Sequence, residues 1–514
     1  WAKTSDAGRH AIAEAVFERI DVLGVNDYTF TLTAHAKTHG WDAALGAGDQ
    51  SISIGRSGRG ERTRPEQTYL MVAKRRQSIA MARRPDGMIT IEVTTAQGTF
   101  LRAVRPASIL PEGVERGPIA EDAIRGAAAR FGLPDFVFHP ATERRGAGTR
   151  EIGDAIIVIG RRGLSLQVKA RQQVTDDVDR ERAWLERRAA EGSRQASGTI
   201  RRLRYPGTTR LENLRGDVIA IVGRDVEWTS VVVLDHPGVP DVALGGDVVV
   251  LSRRDWEFLF QQLQSTVAVV DYLHRVGTLG PGQFNLEAVR YYELAQADAA
   301  TTPAEVDPAF VAIGARNESA PMLPLPPAEP ANLIRWILED IASVPRRDYS
   351  EEQARGRLTM LAIIDSAPIG TREQMAKTIL AWFDQVQAAP PEAFWWRVRN
   401  YIYFGRMHLL IAVTGQANPI VAEAFGHLIR LRHVERGERS ANEAELTTVG
   451  VLLQPRRDGR LPWDTTAGMV EGRVELSADE RASMERMWGT LDEAVGKAAE
   501  ADSNESPFDS PSPG

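Results

Sequence analysis

The sequence predicts an α/β protein with a β-rich N-terminal domain and a mainly helical C-terminal domain. Three observations carry this. Residues 28–104 break into short strand-like runs separated by Gly, Asp, Pro and Asn. Residues 118–275 alternate between helical and strand periodicity. Residues 331–500 are dominated by apolar residues at helical spacing.

The 514-residue length fits about three domains and is enough to bury large cores. Cysteine is absent, which excludes disulfides, Cys-ligated zinc, iron–sulfur clusters and thiol catalysis. The net charge of −7 argues against a uniformly basic nucleic-acid binder, but not against local basic patches. No apolar run is long enough to cross a membrane. The opening Trp1-Ala2-Lys3 carries no apolar signal-peptide run, and the expected location is the cytoplasm.

Residues 1–24 read as an amphipathic helix, with Ile12, Ala15, Val16, Ile20 and Leu23 at helical spacing. Strand-like runs follow from Tyr28 to Val104, and the domain is expected to end at residue 110. Its loop 55–64 carries Arg56, Arg59, Arg62 and Arg64. Lys74-Arg75-Arg76 and Arg83-Arg84 add charge, which makes this domain a candidate DNA reader.

The middle domain, 111–275, opens with a helix over 118–131. Strands are expected at 136–138, 154–159 and 164–170, then a long polar helix at 179–204. Strands at 218–222, 230–234 and 247–251 precede a closing helix at 253–275. Residues 276–330 lose periodicity and end in a stiff Pro-rich linker. The C-terminal domain, 331–500, has strand-like runs only at 408–413 and 447–453. The tail 501–514 has a disordered composition.

The chemistry concentrates at 153–169. Two apolar strands are joined by Gly160-Arg161-Arg162-Gly163. On the second strand Gln167 and Lys169 are two apart and share a face. A closed hairpin brings Asp154 to the same end. A carboxylate beside other oxygens suits Mg²⁺, and a lysine suits orientation of an attacking water. Lysine is also scarce: six of the 62 basic residues.

The string Gln167-Val168-Lys169-Ala170-Arg171 resembles the signature of Mrr-like restriction endonucleases. These belong to the PD-(D/E)xK nuclease superfamily, in the variant with Gln for the second acid. The resemblance covers 118–222 and implies a restriction-endonuclease-like core, αβββαβ. It implies a Mg²⁺- or Mn²⁺-dependent endonuclease acting on DNA. The motif Asp maps onto Asp154, the acid-or-Gln onto Gln167 and the Lys onto Lys169. The backbone carbonyl of Val168 and the first-helix acid Glu121 would complete the metal ligands, with Asp122 and Glu151 as substitutes. Pro134-Asp135 precedes the wrong strand and is read as a decoy.

Arg161 and Arg162 in the turn, and Arg201, Arg202 and Arg204 in the following helix, are candidate phosphate contacts. A solvated helix face with interleaved Glu–Arg pairs is the competing reading of that helix. The aromatic run 394–406 interleaves arginine and reads as core or as a base-stacking surface. The nine histidines form no ligand set, and no P-loop is present.

Two functions remain open from sequence. One is a metal-dependent DNA endonuclease, which the resemblance places in bacterial defence as a homodimer or with partner proteins. The other is a catalytically inactive nuclease-fold DNA-binding or scaffold subunit of a defence complex. RNA cleavage is a weaker third.

Overall fold

The structure is a computed structural model. It describes residues 17–24, 27–32, 52–53, 81–95, 98–139, 141–145, 148–205, 207–238, 242, 244, 248–300, 332–343, 350–390, 395–403, 407–415, 419–439, 446–456 and 463–490. The protein is mixed α/β, with several sheets and ten helices among the described residues. None of those helices is long and apolar enough to cross a membrane. The chain forms two compact units, residues 1–94 with 98–106, and residues 95–97 with 107–514.

The first unit holds two three-stranded sheets. Strands β1 (Phe17–Gly24), β2 (Asp27–Leu32) and β3 (Ile52–Ser53) form one. Strands β4 (Met81–Arg83), β5 (Ile89–Thr95) and β6 (Gly98–Val104) form the other. In β5 the buried residues Ile89, Ile91 and Val93 alternate, as a one-sided sheet requires. The helix expected over 1–24 is replaced at its described end by β1, where Ile20 and Val22 also fit a period of two. The loop 55–64 lies outside the described residues.

The second unit is built on a five-stranded sheet. It comprises β7 (Val137–Phe138), β10 (Ala155–Ile159), β11 (Arg162–Ala170), β14 (Glu227–Asp235) and β15 (Val249–Ser252). Two hairpins are inserted between them: β8 (Ala141–Arg145) with β9 (Gly148–Ile152), and β12 (Thr209–Glu212) with β13 (Val218–Ile221). The sheet order is β15-β14-β11-β10-β7. β7, β10 and β11 run antiparallel, then β14 and β15 run parallel to β11. Strand β10, Ala-Ile-Ile-Val-Ile, is buried throughout, as an interior strand covered on both faces must be. Gly160 takes φ +53 at the first position of the two-residue β10–β11 turn, where a tight hairpin favours glycine.

Helix α1 (Arg116–Phe131) precedes the sheet, and α2 (Val178–Arg204) crosses from β11 to β14. Asp177 caps α2 by accepting the Arg180 amide. Ser165 Oγ donates to the Ala196 carbonyl, so the odd-numbered face of β11 lies under α2. Trp184, Leu185 and Ala189 of α2 pack with Val232 and Leu234 of β14. Leu164 and Leu166 on the opposite face are fully buried, and α1 and α4 (Thr266–Thr278) also pack on β11.

The closing helix expected over 253–275 is two helices, α3 (Arg253–Leu263) and α4. Gln264 at φ +46 ends the first, and Ser265 caps the second. A further helix, α5 (Glu287–Ala300), lies where the sequence suggested a linker; it buries Tyr291, Tyr292 and Ala295.

Helices α6 (Asn332–Ser343), α7 (Glu351–Asp365) and α8 (Ile369–Ala388) follow. Helices dominate this C-terminal part, but they surround a full four-stranded sheet. Its strands are β16 (Trp396–Tyr403), β17 (Met407–Thr414), β18 (Thr447–Pro455) and β19 (Trp463–Glu471), in that order. Helix α9 (Pro419–Gly437) joins β17 to its parallel neighbour β18, and α10 (Ala478–Trp488) follows β19. Residues 396–403 of the aromatic run are therefore strand, not helix. Trp396 and Val398 alternate into the core with Phe425, while Arg397 is exposed. Ser265 Oγ donates to the Asp365 carbonyl, and Arg372 donates to the carbonyls of Leu263 and Gln264, tying α7 and α8 to the α3–α4 corner.

Candidate active site

The β10–β11 register sets the site. Ala155 pairs with Leu166, so Asp154 stands opposite Gln167. Gly153, at φ +80, turns the chain just before. The ladder ends there, and the Asp154 side chain takes over from the backbone. Its amide donates to the Leu166 carbonyl at 3.2 Å, and its Oδ2 accepts the Val168 amide at 2.6 Å. A strand residue points its N–H and C=O to the same side, so the Val168 carbonyl also lies on the Asp154 side.

Gln167 is 3% exposed and Lys169 is half-buried, both on the α2 side of the sheet. A Cβ at Gly153 would stand 3.4 Å from Gln167 Nε2 and from Thr199 Cγ2, an ordinary contact, so it is the φ of +80 that favours glycine there.

Glu121 comes from α1, as the resemblance implied, but it arrives paired. Arg125 Nη1 lies 3.7 Å from Glu121 Oε2 and donates to the Asp154 carbonyl at 2.9 Å. Its other nitrogen pairs with Asp122. One guanidinium thus ties both α1 acids to the start of β10. Side-chain placement of Glu151 is outside the description.

One acid near the site was missed from sequence. Glu191 of α2 is hydrogen-bonded by Arg188 and held below the ordinary carboxylate range. That hydrogen bond is the main cause; it outweighs burial, and the Lys169 and Arg194 cations add to it. Its only sequence signal was Arg–Glu spacing of three and four, which any solvated helix shows.

A second missed group fixes the end of β11. Arg171 makes a two-point pair with buried Glu181, at 2.9 and 2.8 Å. Glu181 also accepts from Thr175 and meets His236 Nε2 at 2.8 Å. The Arg171 hydrogen bond holds the Glu181 carboxyl well below the usual range despite burial. This latch joins the loop after β11 to the end of β14, two residues beyond Lys169.

Asp135, the acid of the literal Pro-Asp, is fully buried and paired with Arg215 at 2.8 Å. Arg215 also reaches Glu339 of α6. Asp135 is thus held in a buried ion pair. Among the phosphate candidates, Arg161 is exposed at the turn, while Arg162 pairs with Asp271 of α4. Arg201 and Arg204 are exposed and Arg202 is half-buried on the last turn of α2. Arg56, Arg59, Arg62 and Arg64 lie outside the described residues.

The chain matches no protein-family model, no curated protein and no solved structure.

No group of three His, Asp or Glu side chains converges on a metal position among the described residues. The candidate donors at this hairpin end are one carboxylate, one amide side chain and one backbone carbonyl, from Asp154, Gln167 and Val168. All three offer oxygen, which fits a hard divalent cation. With a single carboxylate, the set fits weak binding.

Proposed function

We propose that residues 116–235 form a metal-dependent DNA endonuclease domain of the PD-(D/E)xK type. The observation that carries this is the Asp154 carboxylate on the Val168 amide, between Gln167 and Lys169. The order helix, three antiparallel strands, helix, parallel strand supports the same reading.

In this reading Asp154, Gln167 and the Val168 carbonyl hold Mg²⁺ or Mn²⁺. Glu121 of α1, beside Arg125, would be the further acid available to the ion. The ion supplies Lewis-acid stabilisation of the phosphoryl oxygens. Lys169 orients the attacking water and offsets negative charge on the phosphate. Glu191 of α2 adds a negative charge within electrostatic reach of Lys169. The Arg171–Glu181–His236 latch keeps the end of β11 from drifting. DNA is the substrate class, and a homodimer or partner proteins would supply the second cut. A defence role in the cytoplasm follows by analogy with the resembled family alone.

A second reading, an inactive DNA-binding or scaffold subunit, draws on two observations. Gln167 is neutral, and Arg125 already neutralises Glu121. Plasmid cleavage in Mg²⁺ or Mn²⁺ separates the two. Nicking or linearisation by the wild type, lost in both Asp154→Ala and Lys169→Ala, is the expected result. Cleavage that persists unchanged in both variants removes the assigned site. A silent wild type that still binds DNA favours the inactive platform.

A further inference from the structure

The last turns of α2 and the start of β14 enclose an open groove of about 490 Å³, lined by Ser197, Ile200, Arg201, Arg204, Tyr205 and Trp228. The helical residues recur at three and four, so they form one stripe. Tyr205 is 91% exposed. Trp228 is the opposite wall, and it is fixed. Its indole N–H donates to the Gly223 carbonyl at 2.8 Å. Its six-membered ring lies over Gly163, where a Cβ would stand only 2.7 Å from the ring carbons.

Arg201 and Arg204 have no ion-pair partner among the described residues. Cations at a helix C-terminus complement its dipole, which accounts for the arginines. It does not account for an exposed tyrosine that lines the same groove as a braced indole.

We infer that this groove binds an unpaired nucleic-acid strand, with bases stacked on Tyr205 and Trp228 and phosphates on Arg201 and Arg204. An exposed ring offers its face, and only an unstacked base has a face free to meet it. A duplex would use the arginines and leave the rings idle. Trp228 lies on the α2 side of the sheet with Gln167 and Lys169, because Gly192 of α2 approaches Val232 two pleats along the same strand face. Trp228 pairs with Gly163, four residues from Gln167, so the groove lies roughly 13 Å along the sheet from the candidate active site. That distance lets one strand reach both.

The choice of nucleic acid as partner rests on the nuclease reading; the groove does not. The test is fluorescence anisotropy of a labelled oligothymidylate and a labelled duplex of equal length, with the full chain in EDTA. The wild type is expected to bind the single strand more tightly than the duplex. Tyr205→Ala is expected to weaken single-strand binding by about tenfold, with duplex binding unchanged, and Tyr205→Phe to restore it. Arg201→Ala with Arg204→Ala is expected to weaken binding and flatten its salt dependence. Wild-type binding by Tyr205→Ala, a preference for duplex, or no binding at all would overturn the proposal. EDTA keeps this separate from cleavage. A failed plasmid assay with Tyr205-dependent binding removes the nuclease and keeps the groove, and the reverse pattern removes the groove alone.

Discussion

The Asp154 carboxylate lies 2.6 Å from the Val168 amide and so caps the edge of β11 at the one place where β10 has no backbone left to offer. A carboxylate held this way is positioned before any ligand arrives. Gln167, its buried neighbour, is the neutral member of the set.

Gln167→Glu tests that neutrality. A second carboxylate at a nearly sealed position costs stability on the order of 2 kcal/mol when nothing neutralises it. The melting temperature is expected to fall by several degrees in EDTA and to recover with millimolar Mg²⁺, while the wild type responds much less. Equal metal responses in scanning fluorimetry would show that Gln167 does not face a cation position.

Asp135 gives the complementary case. Removing the charge from its buried pair with Arg215 is expected to cost about 3–5 kcal/mol. Asp135→Asn therefore lowers denaturation midpoints. Any plasmid cleavage measured well below its melting temperature stays at the wild-type rate, because Asp135 does not touch the Asp154–Val168 corner. A stable but inactive Asp135→Asn protein would return this acid to the active site.

Helix α2 approaches β14 closely because residue 192 is glycine. A Cβ there would stand 2.7 Å from Cγ1 of fully buried Val232. Gly192→Ala is expected to destabilise by about 1–3 kcal/mol. On the same helix, a Cβ at Gly198 meets nothing within 4 Å. Gly198→Ala is expected to stabilise by about 0.5–1 kcal/mol through helix propensity. Urea midpoints of the two variants should therefore move in opposite directions.

Glu287 sets a pH dependence. It is 2% exposed, accepts from the Tyr272 hydroxyl and lies 3.9 Å from Arg290. Burial pushes its carboxyl up to about 7, from 4.5. The folded state thus holds a proton that the unfolded chain has already lost. Its contribution is fully present below pH 4.5 and disappears as pH rises toward 7. The change is about 3 kcal/mol. Glu287→Gln keeps the shape and removes the titration. Relative to wild type, the variant should gain stability between pH 5 and 8; parallel stability curves for the two proteins would contradict this.

Part of the site was legible because the information is local. Asp154, Gln167 and Lys169 lie within one hairpin, and the period of two with a glycine turn is enough to place them at one end. Glu191 and His236 were not legible, since what makes them matter is a neighbour from another element. The first lies within electrostatic reach of Lys169 on β11, and the second, just after β14, meets Glu181 in the first turn of α2. Likewise, Asp135 could be set aside because it precedes the wrong strand, but its partner Arg215 sits in the β12–β13 turn, far along the chain.

Sequence patterning by itself determined the alternation of helices and strands in the middle of the chain, the β10–β11 hairpin and the polar trio upon it. Apolar periodicity and turn residues act over a few neighbours, and those neighbours are adjacent in the chain. It misjudged residues 17–24, the described end of the expected first helix, and the strand run 396–403, where alternation and helical spacing overlap in short windows. Tertiary structure alone decided that Arg125 would occupy Glu121, that Arg162 would turn inward to Asp271, and that Tyr205 and Trp228 would face one groove. Each of these depends on which faces pack together, and packing couples residues that the chain keeps far apart.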